Sequence, residues 1–95
     1  MSYTWVRATN DQVVCTAPGF VGSIIVTPDS DDDTAYVSLY DGESTQDPKI
    51  LRVRCKAGVT TVVRFQPPLK TKRGLYIDFE DHAEEVLIQH SWGAE

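Results

Sequence analysis

The densest concentration of chemistry in this 95-residue sequence is a run of carboxylates, Asp29, Asp31, Asp32 and Asp33, directly after Pro28. Ca²⁺ takes about six to eight hard oxygen ligands, and Asp29, Asp31 and Asp33 offer oxygens at alternate positions. The EF-hand pattern fails at two places. Thr34 stands where the sharp turn needs Gly, and Tyr40 stands where the bidentate Glu belongs. The first reading is therefore a solvated loop. Beside it stand a calcium loop outside the EF type and an acidic contact surface for a basic partner, where charge sets association rate and register. Lys70, Lys72 and Arg73 form the one basic cluster. They are too few to track a nucleic-acid backbone. Lys on an edge strand opposes edge-to-edge pairing, and the sharper reading is that this cluster in one copy meets the acidic loop of another.

The remaining reactive side chains assemble into no catalytic pattern. His82 and His90 have no ligand-like spacing, and His82 among Glu80, Asp81, Glu84 and Glu85 reads as a loop residue. No Ser stands on a G-x-S-x-G elbow, and there is no G-x-G-x-x-G or P-loop. Gly19 and Gly22 read as a turn and a β-bulge. Cys15 and Cys55 form no CxxC pair and sit in apolar strand-like runs, so they read as reduced core thiols. The expectation is no enzyme, no metal and no cofactor. Trp5 and Trp92 stand near the two ends of the chain. Each reads first as a core residue. The alternative is an exposed anchor patch with Tyr36 and Tyr40. The candidate partner-binding residues are thus Asp29, Asp31, Asp32, Asp33, Lys70, Lys72, Arg73, Trp5 and Trp92.

These residues must be carried by strands. Short apolar alternations recur between turn residues at spacings near ten, the pattern of an all-β sandwich or barrel. Strands are expected over residues 3–8, 12–17, 20–27, 34–40, 49–56, 59–66, 75–79 and 86–92. Ile24 and Val26 on one face with Ile25 on the other predict a central strand covered on both faces. Ala35, Val37 and Leu39 predict a core face, as do Leu51, Val53 and Cys55, and Leu75, Ile77 and Phe79. Ala57-Gly58 reads as the loop of a hairpin, with Val59, Val63 and Phe65 facing one way and Val62 the other. Pro67-Pro68 reads as a strand stop, and residues 80–85 as a polar turn. No segment has a convincing helical period. The expected fold is one domain over residues 1–95, a two-sheet antiparallel β-sandwich of seven or eight strands with jelly-roll or immunoglobulin-like connectivity.

Composition agrees. Hydrophobic residues at 41 % and charged residues at 24 % suit one globular domain with one modest core. No apolar run approaches a membrane span. The formal charge of −5 opposes binding to nucleic acid. Met1-Ser2-Tyr3-Thr4-Trp5 lacks a basic region followed by an apolar stretch, so no signal peptide and a reducing cytoplasm are expected.

Four segments carry a resemblance: Val37-Ser38-Leu39-Tyr40-Asp41-Gly42, Phe65-Gln66-Pro67-Pro68-Leu69, Gly74-Leu75-Tyr76-Ile77-Asp78-Phe79 and Val86-Leu87-Ile88. Together they resemble small β-sandwich virion and head-associated proteins of tailed bacteriophages, over roughly residues 21–89. The resemblance implies a structural virion protein. Its leading form is a capsid decoration (cement) protein on the outer surface of a phage head, bound to the major capsid or another virion protein. It also implies a homo-oligomer, with a trimer favoured, assembled in the host cytoplasm, with no nucleic-acid or membrane partner. It supplies no catalytic residues, and the acidic loop is not part of it. The alternative function is a carbohydrate- or cell-surface-binding module, built on Trp5, Trp92, Tyr36 and Tyr40.

Overall fold

A computed structural model describes residues 3–92. The chain forms eight strands and, among the described residues, no helix. They are β1 (Thr4–Ala8), β2 (Gln12–Cys15), β3 (Gly19–Pro28), β4 (Ala35–Tyr40), β5 (Lys49–Cys55), β6 (Thr61–Thr71), β7 (Leu75–Asp81) and β8 (Ala83–Trp92). Two four-stranded antiparallel sheets result: a front sheet in the order β1-β8-β3-β6 and a back sheet in the order β2-β7-β4-β5.

That order follows from one long antiparallel ribbon. β1 pairs with β8, β2 with β7, β3 with β6 and β4 with β5. Wrapping the ribbon brings β8 against β3 and β7 against β4, which closes each sheet. This is jelly-roll connectivity, the first of the two alternatives that the sequence leaves open. β3 lies between β8 and β6, so its expected central position holds. Ile25, on its outer face, is only half-buried, so that strand is covered fully on one side alone.

The core lies between the sheets. Val21, Ile24, Val26, Val86 and Ile88 of the front sheet are fully buried, as are Ala35, Val37, Leu39, Cys55, Leu75 and Ile77 of the back sheet. Alternation by two sends these positions inward along each strand, with the Gly22 bulge shifting the phase between Val21 and Ile24 on β3. The accessible surface of 5390 Å² is close to the roughly 5,500 Å² of a folded chain of this mass. Both cysteines are free thiols. Cys55 is buried, with Sγ 2.9 Å from the Val59 carbonyl oxygen and 3.0 Å from Thr61 Oγ1.

Three local expectations need correction. Ala57-Gly58 does not close a hairpin: β5 belongs to the back sheet and β6 to the front, so the segment bridges the sheets, with Gly58 at φ +72°. Val59 is accordingly exposed rather than part of the core. Pro67-Pro68 does not end β6, which continues to Thr71. β6 is an edge strand, and between Val21↔Leu69 and Ser23↔Arg64 it spends residues 65–68 against Gly22 alone. The prolines sit in that bulge, where they break no ladder hydrogen bond. The expected bulge at Gly22 is thus present, and it is much wider on the partner strand. Finally, the polar turn over residues 80–85 shrinks to His82, a single residue at φ +49° between β7 and β8.

Ile24→Ala or Leu39→Ala should lower the unfolding free energy by about 2–5 kcal/mol, whereas Val62→Ala on the exposed face should stay within about 0.5 kcal/mol. Urea denaturation measures all three, and equal losses would contradict the assignment of inner and outer faces.

Candidate functional site

Jelly-roll wrapping sorts the loops to two ends of a body measuring 42 × 27 × 19 Å. At one end the β3–β4 loop carries Asp29, Asp31, Asp32 and Asp33, all exposed. The β7–β8 corner joins it there, through the Asp29 N–H donating to the His82 carbonyl oxygen at 2.8 Å. The β5–β6 segment joins through the Gly58 N–H donating to the Ser30 carbonyl oxygen at 3.0 Å. Ser30 Oγ stitches the loop internally, donating to Asp33 and accepting from the Asp32 N–H. The His82 ring lies 3.3 Å from Asp29, 3.2 Å from Asp81 and 3.8 Å from Asp33. These carboxylates converge on an imidazole and not on a common point between them. No group of three or more His, Cys, Asp or Glu side chains is arranged for a metal among the described residues.

Lys72 and Arg73 lie at the opposite end, in the β6–β7 turn, with exposed Lys70 near the end of β6. The β4–β5 loop meets them there. Asp41 accepts backbone N–H groups from Lys72 at 3.0 Å, Arg73 at 2.8 Å and Gly74 at 3.4 Å. Arg73 also pairs with Asp47 at 3.2 Å. Partial burial pushes the Asp41 carboxyl up, but these backbone donors and the Arg73 charge outweigh it and hold the carboxyl below its usual range. The Glu43 N–H, followed by Ser44 and Arg73, does the same for Asp47 against a smaller opposing effect of burial. Part of the basic cluster is therefore compensated at home, and Lys70 and Lys72 remain with their ammonium groups free of ion pairs among the described residues. β4 runs from the acidic loop to Asp41, so the acidic and basic clusters of one copy are held apart at its two ends.

The outer face of the back sheet is a polar layer. Ser38, fully buried, donates to Glu80, which also receives Arg52 Nε at 3.1 Å. The Arg52 guanidinium sits 4.0 Å from the Tyr36 ring centre. The Ser38 hydrogen bond, then Arg52, holds Glu80 below its usual range. Two residues earlier, burial and the charges of Asp11 and Glu80 push Asp78 up. Tyr40 is buried edge-on to Tyr76 at 6.3 Å.

Trp5 is half exposed on the outer face of the front sheet, not in the core. It therefore cannot share a patch with Tyr36 and Tyr40, which belong to the other sheet. Trp92 closes β8 opposite Gly19, and its side chain lies outside the described residues. Beside Trp5 lies an open groove of about 630 Å³. Its construction is visible in the register. Trp5 stands opposite Gln89, Gln89 opposite Ser23 and Ser23 opposite Arg64, forming one row across all four strands. The neighbouring row places Leu87, Ile25 and Val62 side by side. The β6 bulge supplies Gln66 and Pro68 as one wall. Gly22 keeps the floor low: a Cβ there would come within 2.8 Å of Gln89 Oε1 and 3.3 Å of the Tyr3 ring.

Sequence reasoning singles out Trp5 but misses Gln89, Arg64, Gln66 and Pro68. The signal was partial. Gly22 as a bulge, and Ile25 and Val62 as apolar residues opposite the other apolar positions of their strands, are readable, but their meeting requires knowing that β3 pairs with β6. Comparison with protein-family models, curated proteins and solved structures finds no match for this chain.

Two substitutions test the electrostatics with opposite signs. A carboxyl whose folded pKa is lowered contributes stability that is complete above its ordinary value, 3.8 for Asp41, and lost as pH falls through the folded value. Asp41→Ala should therefore cost about 1–2 kcal/mol at neutral pH, a figure reduced for exposure, with the deficit shrinking in acid. Asp78 is raised, so its favourable contribution exists at low pH and is lost as pH rises through its folded value. Asp78→Asn should raise the urea midpoint at neutral pH and leave it unchanged in acid. A pH-independent effect of either substitution would contradict these assignments.

Proposed function

We propose that this chain is an adhesive structural module of a virus particle, in its leading form a decoration protein on the outer surface of a bacteriophage head. The observation that carries the reading is the strand order: an eight-stranded jelly roll is an architecture shared with viral capsid domains. The warrant is fold-level analogy, joined to the sequence resemblance. The motifs that carry that resemblance occupy structural positions here. The Asp41-Gly42 turn caps the β6–β7 end, Pro67-Pro68 forms the β6 bulge, and Gly74 opens β7 at φ +153° with the Cys15 carbonyl oxygen occupying the space a Cβ would need.

The distribution of charge supports the same reading. Complementary clusters at opposite ends of an elongated body cannot neutralise one another within a copy, but they can do so between copies in a head-to-tail contact. Such a contact closes into a ring when its rotation permits, and a trimer is the proposed state. Many weak contacts repeated over a lattice gain strength through effective concentration. The net charge of −5 keeps the module off nucleic acid during assembly in the cytoplasm.

The native mass of the purified protein should be that of an oligomer, or the protein should co-sediment with assembled phage heads. A monomer that never associates with particles would overturn the proposal. Lys70→Glu with Lys72→Glu should weaken assembly and flatten its salt dependence. Assembly unchanged by the double reversal would remove the head-to-tail contact while leaving the decoration role to other surfaces.

A further inference from the structure

The geometry points to a saccharide site: we propose that the groove beside Trp5 on the front sheet binds a neutral hexopyranose unit of a glycan. This inference does not rest on the virion role. A volume of about 630 Å³ falls within the usual size of small-ligand sites. The chemistry of its lining selects the ligand.

Trp5 holds an indole half in solvent at the rim, although Trp carries the largest apolar surface of any side chain. Polar groups with spare hydrogen-bonding capacity converge on the same space. Ser23 Oγ donates to Gln89 Oε1 at 3.2 Å, which fixes the amide and leaves its Nε2 as a donor. The side chains of Arg64 and Gln66, which also line the groove, make no hydrogen bond or ion pair among the described residues. An apolar platform beside fixed and adjustable polar groups matches a pyranose ring. The ring presents a C–H face to stack on an aromatic and a rim of hydroxyls to pair with amides and guanidinium.

Other occupants fit less well. An extended peptide needs partners for its backbone N–H and C=O groups, and on the face of a sheet those groups are already spent on neighbouring strands. A lipid chain would leave Arg64, Gln66 and the Nε2 of Gln89 desolvated without partners. An anionic ligand meets one guanidinium within a chain of net charge −5. A second copy in a two-fold contact would bring two concave faces together and leave a void between them.

The experiment is titration of the ¹⁵N-labelled full chain with neutral oligosaccharides of glucose, galactose, mannose and N-acetylglucosamine, followed by amide shifts. At least one should give saturable shifts centred on Gly22, Ser23, Arg64 and Gln89, with Kd on the order of 0.1–1 mM. Trp5→Ala should weaken binding at least about tenfold while keeping the amide spectrum of the folded chain. Arg64→Ala with Gln66→Ala, both on the exposed face, provides a second loss-of-binding variant should the first perturb β1. No saturable shift with any sugar up to about 10 mM would overturn the proposal. So would binding that survives both variants, or shifts confined to the back sheet. Concentration-dependent shifts of the same amides without sugar would assign the groove to a second copy and equally overturn it.

Discussion

Everything in this molecule depends on two apolar stripes that must hide from water against each other. Neither four-stranded sheet can exist alone, because each buries only one face. Ile24, Val26, Val86 and Ile88 supply one stripe, and Val37, Leu39, Leu75 and Ile77 the other, all fully buried. At about 25 cal/mol per Å² of apolar surface removed from water, this burial is the dominant favourable term in folding. The ribbon pairings are the means by which a single chain presents both stripes at once. Long-range contacts follow directly, since β1 can pair with β8 only after the whole chain has wrapped.

Satisfying the core leaves the outer faces free to diverge. The back sheet covers its outer face with a connected polar layer, in which Ser38, Glu80, Arg52 and Tyr36 meet one another's needs. The front sheet does the reverse. Its outer face carries Leu87, Ile25 and Val62 in one row and Trp5, Gln89, Ser23 and Arg64 in the next. A bulge that spends residues 65–68 of β6 against Gly22 folds this face into a groove. The same prolines protect the edge of the sheet, because a bulged, Pro-bearing edge strand is a poor template for further strand addition. One irregularity thus has two consequences: it shapes a groove and blunts an edge against aggregation.

The two poles of the body follow from loop sorting. Alternate connections of a jelly roll emerge at the same end, so residues distant in sequence are gathered there. His82 is held against Asp29, Asp33 and Asp81, and Asp41 against Lys72, Arg73 and Gly74. Each gathering orders loops that have little apolar surface of their own. Charge acts here as local fastening.

The amino-acid order alone dictated the eight strands in outline and the inward faces of β4, β5 and β7, because side-chain direction alternates with period two and needs no knowledge of neighbours. It also dictated the bulge at Gly22 and the free thiols in apolar runs. Which strand lies beside which was a different kind of fact. Ala57-Gly58 has the composition of a hairpin turn, yet competition for the core sends β5 and β6 to different sheets. Pro67-Pro68 has the composition of a strand stop, yet on an edge strand the missing N–H groups cost nothing. Trp5 has the size of a core residue, yet it shares its face of β1 with exposed Arg7, and its register with Gln89 places it on the outer face. His82 takes Asp29 as a partner across 53 residues of chain. The groove was hidden for the same reason: its rows run across four strands, perpendicular to the chain, and such rows come into being only when tertiary pairing fixes the register.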